Sequence, residues 1–252
     1  MSGVTPSPEK QVEHAETHIE RTFAGYPDKD RLQRAMSSPD WRKTLWKLAD
    51  ELGYDPTSIL EKFRYEVYGK FLGFDCPDLT QLVVPALQEG FNWVTPIVAI
   101  HLTMPNEAIF QAMKKQFGEK ENSDGAWKYT DKVLDEVVTV NDRDPLKTGP
   151  YVIRVRDRVE ADEELKSNSA EMLGQQKIPC QTLYERQVLE AFYYVETGKH
   201  LDVENATLCA GSRDVYGHVP YVYWGPGRRG LYVSCVDVRY SNDSLRGRQV
   251  VS

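Results

Sequence analysis

The stretch that decides the reading of this chain is YVYWGPGRRGLYVSCVDVRYSND, Tyr221–Asp243. Two runs of alternating residues flank GPGRRG, a Gly- and Pro-rich turn, and that pattern predicts a β-hairpin. On one side Val222, Trp224, Leu231 and Val233 form an apolar set, predicted to be buried together with Val219 and Leu245. On the other side Tyr221, Tyr223, Tyr232 and Ser234 form an aromatic and small-polar set. That mixture is the composition of a binding surface, because Tyr offers large contact area at low entropic cost and Ser, Gly and Asn adapt their hydrogen bonds. The window is also depleted. From Ala206 to Arg248 there is no Lys, Glu, Gln or Met, although these types make up roughly a fifth of the chain and about eight or nine are expected. Arg and Asp remain. No folding rule separates Arg from Lys and Asp from Glu so cleanly on an exposed surface.

Codons do separate them. If the adenines of an Asn codon (AAC or AAT) are randomised, the third base stays a pyrimidine. Tyr, Ser, Gly, Asp, Arg, His, Val, Pro and Cys become reachable, and Lys, Glu, Gln, Met and Trp do not. Trp224 and Gln249 are then scaffold. On this census, and on the framework TLCAGSR, VP.V.W, L.V and LRGRQVV, the C-terminal segment resembles the variable proteins of diversity-generating retroelements. In those systems an error-prone reverse transcriptase mutates template adenines and rewrites the 3′ end of a target gene. The resemblance covers about the last half of the chain, and its specific part is about the last forty residues. It implies a C-type-lectin-like fold that displays variable side chains on one ligand-binding face. It also implies a role in ligand or receptor recognition and tropism, without catalysis. The residues assigned to that face are Val215, Tyr216, His218, Tyr221, Tyr223, Pro226, Arg228, Tyr232, Ser234, Val236, Val238, Arg239, Tyr240, Asn242 and Ser244. They are expected to converge on one exposed patch of rigid backbone, with side chains that do not pack on one another. Arg213, Arg246 and Arg248 are assigned to the framework, paired with backbone or carboxylates.

Upstream the pattern is helical. SPEKQVEHAETHIERTFAG and SSPDWRKTLWKLADELG each open with Ser-Pro and stop at Gly25 and Gly53. DPTSILEKFRYEVYGKFLG places Ile59, Phe63 and Val67 four apart, and CPDLTQLVVPALQEG and MPNEAIFQAMKKQFG read as two more helices. Glu119–Trp127 is polar and Gly-containing and marks the break between a helical module, 1–125, of unknown role and a ligand-binding domain, 126–252, with its variable region at about 212–245. The second part holds short strands, DEVVTVND, GPYVIRVRD, ATLCAG and RQVV, around one strong helix, PCQTLYERQVLEAFYYVETGKH. The expected class is therefore α+β: a helical N-terminal module, then a C-type-lectin-like domain of short strands with one or two helices.

Competing chemistry is thin. His14 and His18 sit four apart on a helix, but Ala15 stands where a metalloprotease base belongs, so the pair reads as a solvated face. His101 lies in an apolar run and reads as a core histidine; His200 reads as a helix C-terminal residue. Arg154–Leu165 is rich in charge and reads as a strand end and surface helix, with a metal-dependent nuclease as the alternative. An ordinary β-rich binding or structural domain is a second alternative, and an enzyme like the formylglycine-generating enzymes, using Cys209 and Cys235, a third. The four cysteines form no CxxC pair, and neither metal nor cofactor is expected. With a net charge of −7 no nucleic-acid partner is expected, and the longest apolar stretch, Phe91–Met104, is too short to span a bilayer. The partner expected is a protein or glycan surface. MSGVTPSPEK has no apolar core, so the expected location is cytoplasmic or on a virus-like particle.

Overall fold

The computed structural model describes residues 56–118, 123 and 125–252. The chain divides into two compact units, Met1–Ser58 and Ile59–Ser252, and the second is the one described. The helices expected over 7–25 and 38–53, and the His14/His18 pair, lie outside the described residues. The second unit is a mixed α+β domain. Helix α1 (Pro56–Lys62) runs into a π-helical segment, Phe63–Phe71. There follow β1 (Trp93–Ile97), α2 (Pro105–Gly118), β2 (Gly125–Lys128), α3 (Leu134–Val137), β3 (Val138–Asn141), α4 (Pro145–Thr148) and β4 (Tyr151–Val155). Then come a 3₁₀ turn (Glu163–Leu165), α5 (Ala170–Gln175), α6 (Leu183–Thr197), β5 (Ala206–Leu208), β6 (Ser212–Asp214), β7 (Val219–Gly225), β8 (Gly230–Val236) and β9 (Leu245–Gly247).

Helix α6 organises the unit. Thr182 and Glu185 form a capping box, in which Thr182 Oγ1 accepts from Glu185 N and Glu185 Oε2 accepts from Thr182 N. Gly198 closes the helix in the left-handed conformation at φ 67°. The sequence predicts an apolar side of Leu183, Val188, Leu189 and Phe192, and all four are buried. So are the polar residues between them. Helix α2, β1, β7 and the π-helical segment all pack against α6, leaving no solvent side over its first three turns. Its charges are satisfied inside. Glu185 accepts from Arg143 at 2.7 Å and from the Tyr151 hydroxyl at 2.9 Å, and Arg186 donates to Glu190 at 2.8 Å and Asp202 at 2.9 Å. Burial by itself would raise the Asp202 carboxyl, but the guanidinium groups of Arg186 and Arg248 outweigh it and hold the carboxyl below its usual range.

A five-stranded sheet, in the order β2-β8-β7-β5-β9, carries the hairpin in its middle. β1 and β4 form a separate antiparallel pair, as do β3 and β6. One face of the large sheet, with Val222, Leu231 and Val233, joins the main core, and the opposite face meets a smaller cluster of Leu165, Ala170, Leu173, Cys180, Leu208 and Val219.

Four expectations are corrected. The break at 125/126 falls inside one unit: Phe110, Met113 and Phe117 share the main core with Leu231 and Val233. Gly125–Lys128 is strand β2, paired parallel to β8, and at Gly125 (φ 68°) a Cβ would stand 2.4 Å from the Lys114 carbonyl oxygen. The helix expected over Cys76–Gly90 is absent. Pro85 removes a donor, the Asp78 carboxylate caps Thr80 N at 2.9 Å, and the Pro85 carbonyl is taken by Arg154 Nε at 2.6 Å. The last strand is Leu245–Gly247, earlier than the expected Arg248–Val251, because it pairs with β5. Gln249 and Val251 make single bridges to Cys180 and Arg154. His101 is half-buried at the entry to α2, where its Nδ1 accepts from the backbone N–H groups of Thr103 and Met104.

Candidate functional site

The candidate site is built on the β7–β8 hairpin. The strands pair antiparallel from Val219↔Val236 to Gly225↔Gly230, so Tyr221 stands opposite Ser234 and Tyr223 opposite Tyr232. Side chains alternate across the sheet, and paired residues share a face. Val222, Leu231 and Val233 point into the core and are fully buried, as is Val219 on the other face beneath the small cluster; Leu245 is buried too. Tyr221, Tyr223, Tyr232 and Ser234 share the outer face and are half-buried. Their rings form a strip: Tyr221 stacks on Tyr223 with centroids 6.1 Å apart, and Tyr223 on Tyr232 at 5.2 Å. Trp127 on the neighbouring strand continues it, 5.8 Å from Tyr232 and about half exposed. A Cβ at Gly225 would meet Tyr232 Cε2 at 2.6 Å, so the Tyr232 ring lies across Gly225.

Two details depart from the sequence reading. The tyrosines pack on one another, because a two-residue pleat places same-face rings within stacking distance along and across the strands. Trp224, expected to be buried, is half-buried near the hairpin end, where it stacks on His200 and meets Phe117 edge-on. His200 Nδ1 also hydrogen-bonds with Glu190 Oε1 at 2.9 Å, a packing and hydrogen-bonding role in place of a simple helix end.

The other assigned residues surround the strip without all joining it. Pro226 and Arg228 occupy the exposed turn beside Tyr223 and Tyr232. Val236 and Val238 are half-buried and pack, with Tyr221, against the small cluster. Val215 and Tyr216 are exposed at the opposite end of the hairpin, where Tyr216 lies 6.2 Å from half-buried His218. Arg239, Tyr240 and Ser244 are exposed in the loop before β9, and Asn242 there accepts from Ser244 N and Leu245 N and donates to the Tyr240 hydroxyl. None of the fifteen residues is fully buried. The framework arginines behave as expected: Arg213 donates to the Ala210 and Ser212 carbonyls, Arg246 pairs with Glu163, and Arg248 donates to Asp202 and to the Arg158 and Val159 carbonyls.

Several residues of the enzymatic alternatives have structural partners or are buried. Asp157 accepts from Asn92, and Glu160 from the backbone N–H groups of Val203, Glu204 and Asn205. Glu164 forms a two-point pair with Arg158, which draws its carboxyl down to about 2. The Cys209 thiol is fully buried and pushed well above its ordinary range by that burial.

Sequence reasoning missed Trp127, hidden in what reads as a linker. It also missed the approach of Asp214, His218 and Cys235, whose ligating atoms lie within 4.8 Å of one another. Asp214 and His218 are four apart, a spacing visible in the sequence, but only the hairpin register brings Cys235 to them. No family model, curated protein or solved structure matches this chain. Among the described residues no helix is long and apolar enough to cross a membrane.

Proposed function

We propose that this chain is a non-catalytic binding protein whose C-terminal face, carried on a C-type-lectin-like domain, is diversified by adenine-directed retroelement mutagenesis for recognition of protein or glycan surfaces. One observation carries the reading. Tyr221, Tyr223 and Tyr232, from two strands, lie side by side with Trp127 on one half-exposed face, while their alternating neighbours Val222, Leu231 and Val233 are fully buried. Outward residues of unrelated strands scatter over a domain, whereas aromatic hot spots act when clustered and ringed by residues that exclude water. A stable scaffold beneath a replaceable surface is what diversification requires.

The test is genetic. The gene is sequenced deeply across a population, with its flanking DNA. Expected are pyrimidine third bases at the fifteen positions, a nearby near-copy carrying Asn codons there, a neighbouring reverse transcriptase gene, and substitutions confined to template adenines. A locus with purine-ending codons at those positions and no near-copy would overturn the retroelement reading and leave a fixed Tyr-rich binding face.

A further inference from the structure

We propose that Asp214, His218 and Cys235 form a binding site for one divalent transition-metal ion of the zinc class. Two pieces of chain deliver the ligands: the end of β6 with the turn that follows it, and the last part of β8. The carboxylate is fixed before any ion arrives. Asp214 is buried, and its Oδ1 accepts from the backbone N–H groups of Tyr216 and His218, each at 2.8 Å. Its Oδ2 is thereby aimed at His218 Nδ1, 3.3 Å away. Two ligands held at about 2.0 Å from a tetrahedral zinc ion stand about 3.3 Å apart, so this pair already spans a tetrahedral edge. All three ligand atoms fall within 4.8 Å of one another, and the widest separation closes by roughly an ångström through side-chain rotation.

The chemistry of the set selects the ion. Imidazole, carboxylate and thiolate together suit zinc, cobalt or copper, whereas calcium and magnesium demand oxygen ligands. A thiolate and a carboxylate neutralise a divalent charge. On binding, the Cys235 thiol proton leaves to the buffer, and His218 ligates through an unprotonated Nδ1 with its ring proton on Nε2. Tyr129 donates its backbone N–H to the Val233 carbonyl, two residues before Cys235, and its buried hydroxyl has no hydrogen-bond partner among the described residues. The other three thiols, Cys76, Cys180 and Cys209, are buried and do not compete.

Three protein ligands leave a fourth position of a tetrahedral ion open, and His218 is partly exposed beside Tyr216. The ion would therefore face the same end of the candidate surface as Val215 and Tyr216, and could take a carboxylate or imidazole from a bound partner. This last step rests on the proposed binding function; the metal site itself does not, and because His218 is one of the fifteen positions proposed to vary, the site belongs to this variant of the surface rather than to the scaffold.

The experiment uses the full chain, stripped with a chelator, titrated with Co²⁺ and followed by absorption, then with Zn²⁺ by calorimetry. Expected are one saturable equivalent, a sulfur-to-cobalt charge-transfer band with the intense visible bands of a tetrahedral ion, and displacement of Co²⁺ by Zn²⁺. Cys235→Ser should abolish the charge-transfer band while leaving the circular dichroism unchanged, and His218→Ala should abolish saturable binding. Absence of the sulfur band in the unmodified protein, or its persistence in Cys235→Ser, would overturn the site. Binding without a sulfur band would place the ion elsewhere, for instance on His14 and His18, and would also overturn it. None of these results bears on the codon test above.

Discussion

The proposed division between fixed scaffold and replaceable face makes a quantitative prediction about two adjacent strands. Leu231 is 0% exposed and sits in the main core with Val222 and Val233. Leu231→Ala removes a buried side chain and leaves a cavity, a change that costs about 2–5 kcal/mol, and about 3 is expected because the sheet cannot collapse onto the gap. Tyr223 faces outward and touches the rings of Tyr221 and Tyr232. Each partly exposed ring pair contributes about 0.5 kcal/mol, so Tyr223→Ser should cost about 1 kcal/mol. Tyr223→Phe keeps both stacks and should lie within about 0.5 kcal/mol of the parent. Equilibrium urea unfolding with a shared m-value measures all three. A Tyr223→Ser loss equal to that of Leu231→Ala would refute the two-layer reasoning, since the tyrosines would then be core residues in which variation cannot be tolerated.

Other expectations follow from the same structure. Asp202→Asn removes one charge from the fully buried Arg186–Asp202–Arg248 group, leaves guanidinium charge uncompensated, and should lower stability by about 3–5 kcal/mol in urea unfolding. Thr182→Ala deletes half of the capping box and should cost about 1 kcal/mol by the same measurement. Burial would raise the Glu107 carboxyl, but donation from Lys128, Gln111 and Leu134 N outweighs it and holds the carboxyl below its ordinary range. Its contribution is therefore complete above the unfolded value near 4.5 and is lost as pH falls through the lower folded value, so the stability difference between the parent and Glu107→Gln should shrink on acidification through that window. Gly225→Ala should displace the Tyr232 ring and quench the stacking signature of the strip in near-ultraviolet circular dichroism, with little loss of helix signal.

Much of the fold is legible because its signals are local. The capping pair Thr182/Glu185, the stop at Gly198 and the turn GPGRRG carry their own geometry, and the structure has the helix and the hairpin where those residues place them. What is not legible depends on partners distant in sequence. Gly125–Lys128 looks like a linker because a four-residue strand has no periodicity of its own; β8 makes it a strand. Cys76–Gly90 has helical composition, yet tertiary partners such as Arg154 hold its carbonyls in turns. The candidate face follows the same rule. Alternation alone assigns Tyr221, Tyr223, Tyr232 and Ser234 to one side, while the addition of Trp127 and the meeting of Cys235 with Asp214 require the sheet order.

The structure also sharpens what the missing Lys and Glu mean. Burial accounts for part of the depletion without any appeal to codons. Leu208, Val219, Val222, Leu231, Val233 and Leu245 are buried apolar positions at which no charged residue would be tolerated. The weight then falls on positions that solvent reaches: Val215, Tyr216, Pro226, Arg228, Arg229, Asp237, Arg239, Tyr240, Asp243 and Ser244 are all exposed. Such sites accept Lys as readily as Arg and Glu as readily as Asp, and packing there has no means of telling the members of each pair apart. Yet Arg and Asp recur and their partners are absent. A discrimination that exposed surfaces do not make, and that pyrimidine-ending codons do, is the support that the exposed positions lend to the proposed diversification of this face.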